Sequence, residues 1–392
     1  MAADKQDKVL NVPNLRFPEF TDKWKECELQ DVASISKGAG ISKDQLSDSG
    51  EPCILYGELY TKYKSEVITD VLSKTNIDTA NLVRSKANDV IIPSSGETAI
   101  DISTARCVPF DNILLGGDLN ILRLREQDGR FFSYQLNGVR KLDIAQIAQG
   151  VSVVHLYGES LKRLIVHYPS RSEQEKISSL LAAIDERITT QSRIIKEIQS
   201  LIYGITQRIS KHPSIRMTML SELLVERDEK NTALYPVYSV SVSEGVVNQI
   251  DYLGRSFAAT DTSHYNVVHK GDIIYTKSPT GEFPLGIVKR SSVGSNVAVS
   301  PLYGVYKPVS DDVAIYLHYY FCSPLNARNY LHKLIQKGAK NTINITNQRF
   351  LENHIPLPDK TTLSRFVELM NAVSAKLKSE RSLLEALQSV FS

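Results

Sequence analysis

At 392 residues the chain is too long for one ordinary hydrophobic core and suits two domains of about 100 to 200 residues each. Its composition, 42% apolar and 23% charged, excludes a disordered or membrane class; no run approaches about 18 consecutive apolar residues, and MAADKQDKVLNVPNLRF offers no signal-peptide core, so a soluble, untargeted, cytoplasmic protein with no membrane partner is expected. A net charge of +2 admits a nucleic-acid partner without demanding one, and Cys27, Cys53, Cys107 and Cys322 lack C-x-x-C spacing or companion ligands, so they are expected as reduced thiols and no metal site is expected.

Taken in chain order, GAGISK (38–43) is a poor fragment of a dinucleotide fingerprint, with Lys43 where the last glycine belongs, and reads as a turn. CILYGELYTKYKSE (53–66) alternates tyrosines with Lys62 and Lys64, a strand pattern with one face buried, which leaves Tyr56, Tyr60 and Lys62 as candidate DNA contacts. DVIIP predicts a strand, followed by the loop PSSGETAI with Ser94, Ser95, Glu97 and Thr98 as candidates. LNILRL predicts another strand, and AQGVSVVHLYGES (148–160) adds Gln149 and Ser152.

The chain then repeats itself. NDVIIPSSGE aligns with GDIIYTKSPTGE so that Asp89 falls on Asp272, 183 residues on; LYGESLKRLIVHYP aligns with ITNQRFLENHIPLP so that Pro169 falls on Pro358, 189 residues on. The drift is what insertions in surface loops produce. After each proline a helix follows. Ile177, Leu181, Ile184, Ile188, Gln191, Ile195, Ile198, Ile202, Ile205 and Ile209 alternate by four and three residues, a heptad seam. Phe366, Met370, Val373, Leu377, Glu380, Leu384, Leu387 and Phe391 repeat it 189 residues later, down to the polar interruption of Gln191 and Glu380. Two matched seams in one chain most simply pair with each other. Ser172 with Glu175 has the spacing of a capping box for the first helix, and Thr361 or Thr362 is placed to cap the second. The second helix offers no counterpart to Ile205 and Ile209, which leaves them for a partner subunit.

The expected class is α+β, because short Val-, Ile- and Tyr-rich strands mix with helices without a βαβ alternation. The expected domains are a reader over 1–171, a helix over 172–211, a second reader over 212–358 and a second helix over 359–392. In the second reader, SPLNARNYLHKLIQKGAKNTINITNQRF (323–350) holds five basic residues and no acidic one. Its Lys337, Lys340, Asn341 and Asn344, with Lys277, Ser278 and Thr280 of TKSPTGEF, combine phosphate attraction with amides able to pair with adenine edges. No P-loop, H-E-x-x-H, G-x-S-x-G, N-P-P-[FYW] or PD-x-[DE]-x-K pattern occurs, so no catalytic residue is expected. The alternative to a DNA reader is a non-DNA adaptor, two interaction domains joined by an intramolecular coiled coil.

With VPNLRFPEF..KW at 12–24, the junction P-S-R-S-E-Q-E-K-I at 169–177 and the tandem plan, the chain resembles the specificity subunit of type I restriction-modification systems along essentially its whole length. The resemblance implies two target recognition domains in a pseudo-twofold tandem repeat, separated by two long helices forming an antiparallel coiled coil. It also implies a non-catalytic subunit that recognises an asymmetric bipartite site on double-stranded DNA. The implied partners are two adenine-N6 methyltransferase subunits using S-adenosylmethionine and restriction subunits, ATP- and Mg2+-dependent translocases; no cofactor is expected on this chain. The second junction, P-D-K-T-T-L-S-R-F, departs by lacking E-Q. Two readers at opposite ends of such a coil would enter major grooves about one turn, 34 to 36 Å, apart, with the helices as a ruler.

Overall fold

The structure, a computed structural model, describes residues 16–254, 258–337 and 343–389. It divides into two compact units, Met1–Thr189 and Thr190–Ser392.

In the first unit β1 (Lys25–Glu28) pairs antiparallel with β6 (Ile165–Tyr168), bringing the start of the unit to its end. The central sheet runs β2 (Ala33–Lys37), β5 (Leu119–Leu124), β3 (Asp89–Pro93), β4 (Arg106–Val108), antiparallel throughout. DVIIP is wholly buried because the sheet is covered on both faces. Val90, Ile92 and Leu122 face one core with Phe131, Phe132 and Leu136 of α1 (Gly129–Asn137), while Ile91 and Ile121 face a second core with Ile54, Leu59 and Tyr63. The two-residue period of a strand sends neighbours to opposite cores.

The second unit repeats this plan. β7 (Arg216–Met219) pairs with β12 (His354–Leu357), and the sheet runs β8 (Leu224–Glu226), β11 (Gly304–Pro308), β9 (Ile273–Tyr275), β10 (Val288–Arg290) in the same order. Helix α3 (Asp311–Phe321) stands where α1 stands, and Ile273 and Tyr275 face one core while Ile274 faces another. The aligned carboxylates play one part in both copies. Asp89 accepts the backbone N–H of Lys86 and both arms of Arg123; Asp272 accepts that of His269 and both arms of Arg227. The arginine comes from β5 in one copy and from just past the end of β8 in the other, but the buried carboxylate is satisfied alike.

The long helices are α2 (Arg171–Ile209) and α4 (Lys360–Gln388). Their caps differ from the sequence expectation. Helix α2 begins at Arg171, so Ser172 lies inside the first turn and Glu175 accepts from Arg171 instead of closing a capping box. Asp359, not Thr361 or Thr362, caps α4, its carboxylate accepting the N–H groups of both threonines; a carboxylate at this position satisfies orphan donors and meets the positive end of the helix dipole.

In the first unit the opening segment and the E-Q-E-K-I junction fold onto each other. Arg16 grips buried Glu173 through Nε and Nη2, each at 2.7 Å, the Trp24 indole donates to the same carboxylate at 3.3 Å, and Lys176 lies 4.6 Å from the Phe17 ring centre. Gln174 donates to the Pro169 carbonyl and accepts the Asp128 N–H, and Ser178 donates to the Asp128 carboxylate at 2.9 Å. Tyr134 of α1 donates to Asp185 at 2.6 Å. Ile177, the first seam residue, packs against the unit's own core.

In the second unit the matched seams meet. Gln191 contacts Glu380, while Ile202, Ile205 and Ile209 pack on a core that contains Phe366, Val367 and Met370. Rising numbers on α2 meet falling numbers on α4, so this part of the coil is antiparallel. Ile205 and Ile209 are therefore not left for a partner: in the antiparallel pair they meet the start of α4 and the core of the second reader. Gln207 reinforces this, its amide donating to Ser323 at 3.2 Å and Asn326 at 3.3 Å. Tyr319 of α3 bonds to Ser374 of α4, the counterpart of Tyr134 with Asp185.

Candidate nucleic-acid interface

In the first unit CILYGELYTKYKSE is not one strand. Glu51–Ile54 pairs in a sheet, and the chain then turns into a short helix, Glu58–Thr61. Buried Glu58 drives the change: its carboxylate accepts the Leu55 N–H at 3.0 Å and the Lys62 ammonium at 2.6 Å. The helix sends Leu59 and Tyr63 into the core and leaves Tyr56 and Tyr60 half-exposed. They and Lys62 line a cleft of about 720 Å³ with Gly40, Ser42, Lys43 and Asp118. GAGISK is a turn, as read, and its place on this cleft was missed; only its position beside a strand end in space marks it.

Burial, with nearby Tyr56, Asp101 and Glu97, pushes the Tyr60 phenol above its ordinary value. Its hydroxyl therefore stays a hydrogen-bond donor at neutral pH. The second candidate group meets across a short ladder, Ser95–Gly96 paired with Val154–His155. Ser94 and Ser95 are buried in its floor, where Ser94 joins backbone bonds to Asp118 and Leu156, whereas Glu97 and Thr98 are exposed beyond it. Thr98 also caps a helical turn by accepting the Asp101 N–H at 3.1 Å. Gly96 has to be glycine, since a Cβ would lie 2.5 Å from Ile102.

Opposite them, Gln149 and His155 exchange two backbone bonds that close a tight loop. Gly150 stands at its corner with φ +130°, where a Cβ would meet the Val153 carbonyl at 2.1 Å. The loop projects Gln149 and Ser152, with Val151 at its tip 96% exposed. The fold thus brings Glu97 and Thr98 together with Gln149 and Ser152, from segments some fifty residues apart. The apolar tip, Val151 and Val153, carried no signal in the sequence.

In the second unit Lys277, Ser278 and Thr280 lie on a loop tightened by paired backbone bonds between Thr280 and Phe283, with Phe283 buried as its anchor. Burial lowers the Lys277 ammonium from its ordinary value, and Glu226 opposes the shift. Glu226 also accepts from Asn347 at 2.7 Å, which ties this loop to the basic segment's return. There Gln336–Lys337 pairs with Ile343–Asn344 as a two-residue ladder; Lys340 and Asn341 lie outside the described residues. Among the described residues no group of His, Cys, Asp and Glu is placed to hold a metal ion, and no helix is long and apolar enough to cross a membrane.

Comparison with known proteins gives two kinds of likeness. Residues 21–200 match the model of the type I restriction modification DNA specificity domain. The chain also has the fold of a crystal structure of a type I restriction-modification system S subunit from M. genitalium, with TM-score 0.64 and 14% identity over 97% of this chain and 96% of that one. It is similar, with TM-score 0.54 and 12% identity over 96% and 97% of the two chains, to a structure on complex assembly and conformational transition of the type I R-M system. The first reader and the start of α2 thus match a type I restriction modification DNA specificity domain, and nearly the whole chain shares the fold of a type I restriction-modification S subunit.

Proposed function

We propose that the chain selects an asymmetric, bipartite target on double-stranded DNA, each unit reading one half-site, with α2 and α4 setting the distance between the halves. The observation that carries this reading is the tandem repeat itself: two sheets of the same strand order, each leading into a long helix, present different loops at the same place. Shared scaffolds with differing loops are how one architecture serves two sequences. On the first unit the reading residues are Tyr56, Tyr60, Lys62, Glu97, Thr98, Gln149 and Ser152, over the buried Ser94 and Ser95. On the second they are Lys277, Ser278 and Thr280 with Lys337, Lys340, Asn341 and Asn344.

The partners are two adenine-N6 methyltransferase subunits, which carry S-adenosylmethionine, and restriction subunits that use ATP and Mg2+; this chain binds none of these cofactors, and the complex works in the cytoplasm. The mechanism is positional. Lysines supply attraction to phosphates, tyrosine, serine and amide groups discriminate base edges, and the helices fix where each methyltransferase meets its adenine. Binding of duplex DNA by the complex of this chain with its methyltransferase subunits tests the reading. Affinity should fall steeply with salt and depend on one discontinuous sequence; salt-independent binding, or no preference among sequences, would instead favour an adaptor that does not read DNA.

A further inference from the structure

Beneath the coil in the second unit, β10 brings up Lys289 and α3 brings up His318 and, at its C-terminal cap, Cys322. Lys289 is 5% exposed, and among the described residues its polar partner is the Cys322 sulfur at 3.3 Å. A buried ammonium is costly unless an anion lies beside it. The neighbouring charged groups are already engaged, Arg290 with Asp311 and Arg381 with Glu244, and the Tyr319 hydroxyl is bonded to Ser374. Among the described residues no carboxylate therefore serves Lys289.

The imidazole points the same way. Its Nδ1 accepts the Arg290 backbone N–H at 3.3 Å, so the ring proton sits on Nε2, which faces the Cys322 sulfur at 3.8 Å. Among the described residues the sulfur meets two donors and no acceptor, an environment that suits a thiolate and not a thiol. Burial alone would hold this thiol up, but His318 and Lys289 outweigh it and draw it down to about 6. The other cysteines go the opposite way: burial pushes Cys27 up, Cys53 up to about 11 and Cys107 up to about 12. Cys322 is half-buried and lines a cavity of about 490 Å³ together with Tyr203 of α2 and Arg381 of α4, so a small reagent has room to reach it.

We propose that Cys322 is a nucleophilic thiolate and the site at which hydrogen peroxide entering this cavity modifies the protein. The sulfur attacks one peroxide oxygen, the O–O bond breaks, and two electrons pass from sulfur to the peroxide. The product is the sulfenic acid, Cys–S–OH. The departing hydroxide takes a proton from the Lys289 ammonium and leaves as water. A buried ion pair becomes a neutral pair, so neither residue is left as an uncompensated charge, and a thiol reductant reverses the change.

The test uses the intact chain and hydrogen peroxide, with dimedone as the sulfenic-acid trap and peptide mass spectrometry to read each cysteine. A dimedone adduct on Cys322 well ahead of Cys27, the other half-buried cysteine, is expected; equal labelling of the two, or none on Cys322, overturns the proposal. Iodoacetamide without peroxide gives a second reading. At pH 7 Cys322 should alkylate at least about tenfold faster than Cys27, with a half-maximal rate near the value set by its two donors. A rate that keeps rising through pH 8 to 9, like that of an ordinary thiol, contradicts it. Lys289→Met should carry the midpoint upward by about one pH unit or more, and an unmoved midpoint also counts against the assignment.

Discussion

Gln191 donates its side-chain amide to the backbone carbonyl of Glu380 at 3.1 Å and to the same residue's carboxylate, with both side chains buried. The two stand at the same position of the two repeats, 189 residues apart, so the polar interruption of each seam is the other's partner. Lys376 adds an ion pair one turn away on α4. Gln191→Leu leaves the carboxylate without this donor and should cost about 2–3 kcal/mol. The double variant Gln191→Leu/Glu380→Leu should recover most of that loss, because an apolar pair suits a coil seam, while surrendering the register mark. Urea midpoints of the three proteins read this directly; a double variant no more stable than the single one speaks against a paired role.

Ile205→Ala should destabilise the isolated chain by roughly 1–3 kcal/mol, since its side chain packs on the second reader's core. The measurement needs no partner subunit. An isolated chain of unchanged thermal midpoint, with weaker methyltransferase binding, would return Ile205 to the partner-facing role expected from the sequence.

Asp128 connects the first reader to α2 and should make that connection acid-sensitive. Burial opposes its ionisation, but Arg130, the Ser178 hydroxyl and the Arg130 N–H outweigh this and hold its carboxyl below the usual range. A depressed folded-state value means stability that is fully present above the unfolded value, near 4, and is lost as pH falls through the folded one. Asp128→Asn should therefore lower stability at pH 6 by about 1–2 kcal/mol, as removal of a charged helix cap does, and flatten the pH dependence below 4. Urea melts between pH 3 and 6 decide it; parallel curves for the two proteins remove Asp128 from the account.

The tandem plan was legible because it rests on spacing. Strand DVIIP and the heptad seams carry their periods in the sequence, and the pairing of Gln191 with Glu380 follows from their shared offset. Local contacts defeated the sequence in three places. Glu58 turned an alternating tyrosine run into a helix, Asp359 outcompeted two threonines as a cap, and the short ladder Ser95–Gly96 with Val154–His155 buried serines expected at the surface. The first two turn on short-range competition between neighbouring side chains and backbone, and the third on which strand arrives across the fold; apolar periodicity records neither. The setting of Cys322 was masked in the third way, because Lys289 reaches it from β10, although His318 stands one turn before it on α3.

Taking one seven-residue repeat out of each long helix should shorten the distance between readers by about 10 Å, or about three base pairs of spacer. The half-sites themselves should stay the same. Methylome sequencing of cells carrying the shortened chain would show a shifted spacer or a loss of methylation. An unchanged spacer would end the ruler account while leaving the readers untouched.

The most direct test of the central claim is the methylome of cells in which residues 212–358 are replaced by the corresponding segment of a type I restriction-modification S subunit. The account predicts a new discontinuous target in which one half-site has changed while the other half-site and the spacer are retained. A target unchanged by the exchange, or changed in both halves, would contradict the assignment of one half-site to each unit.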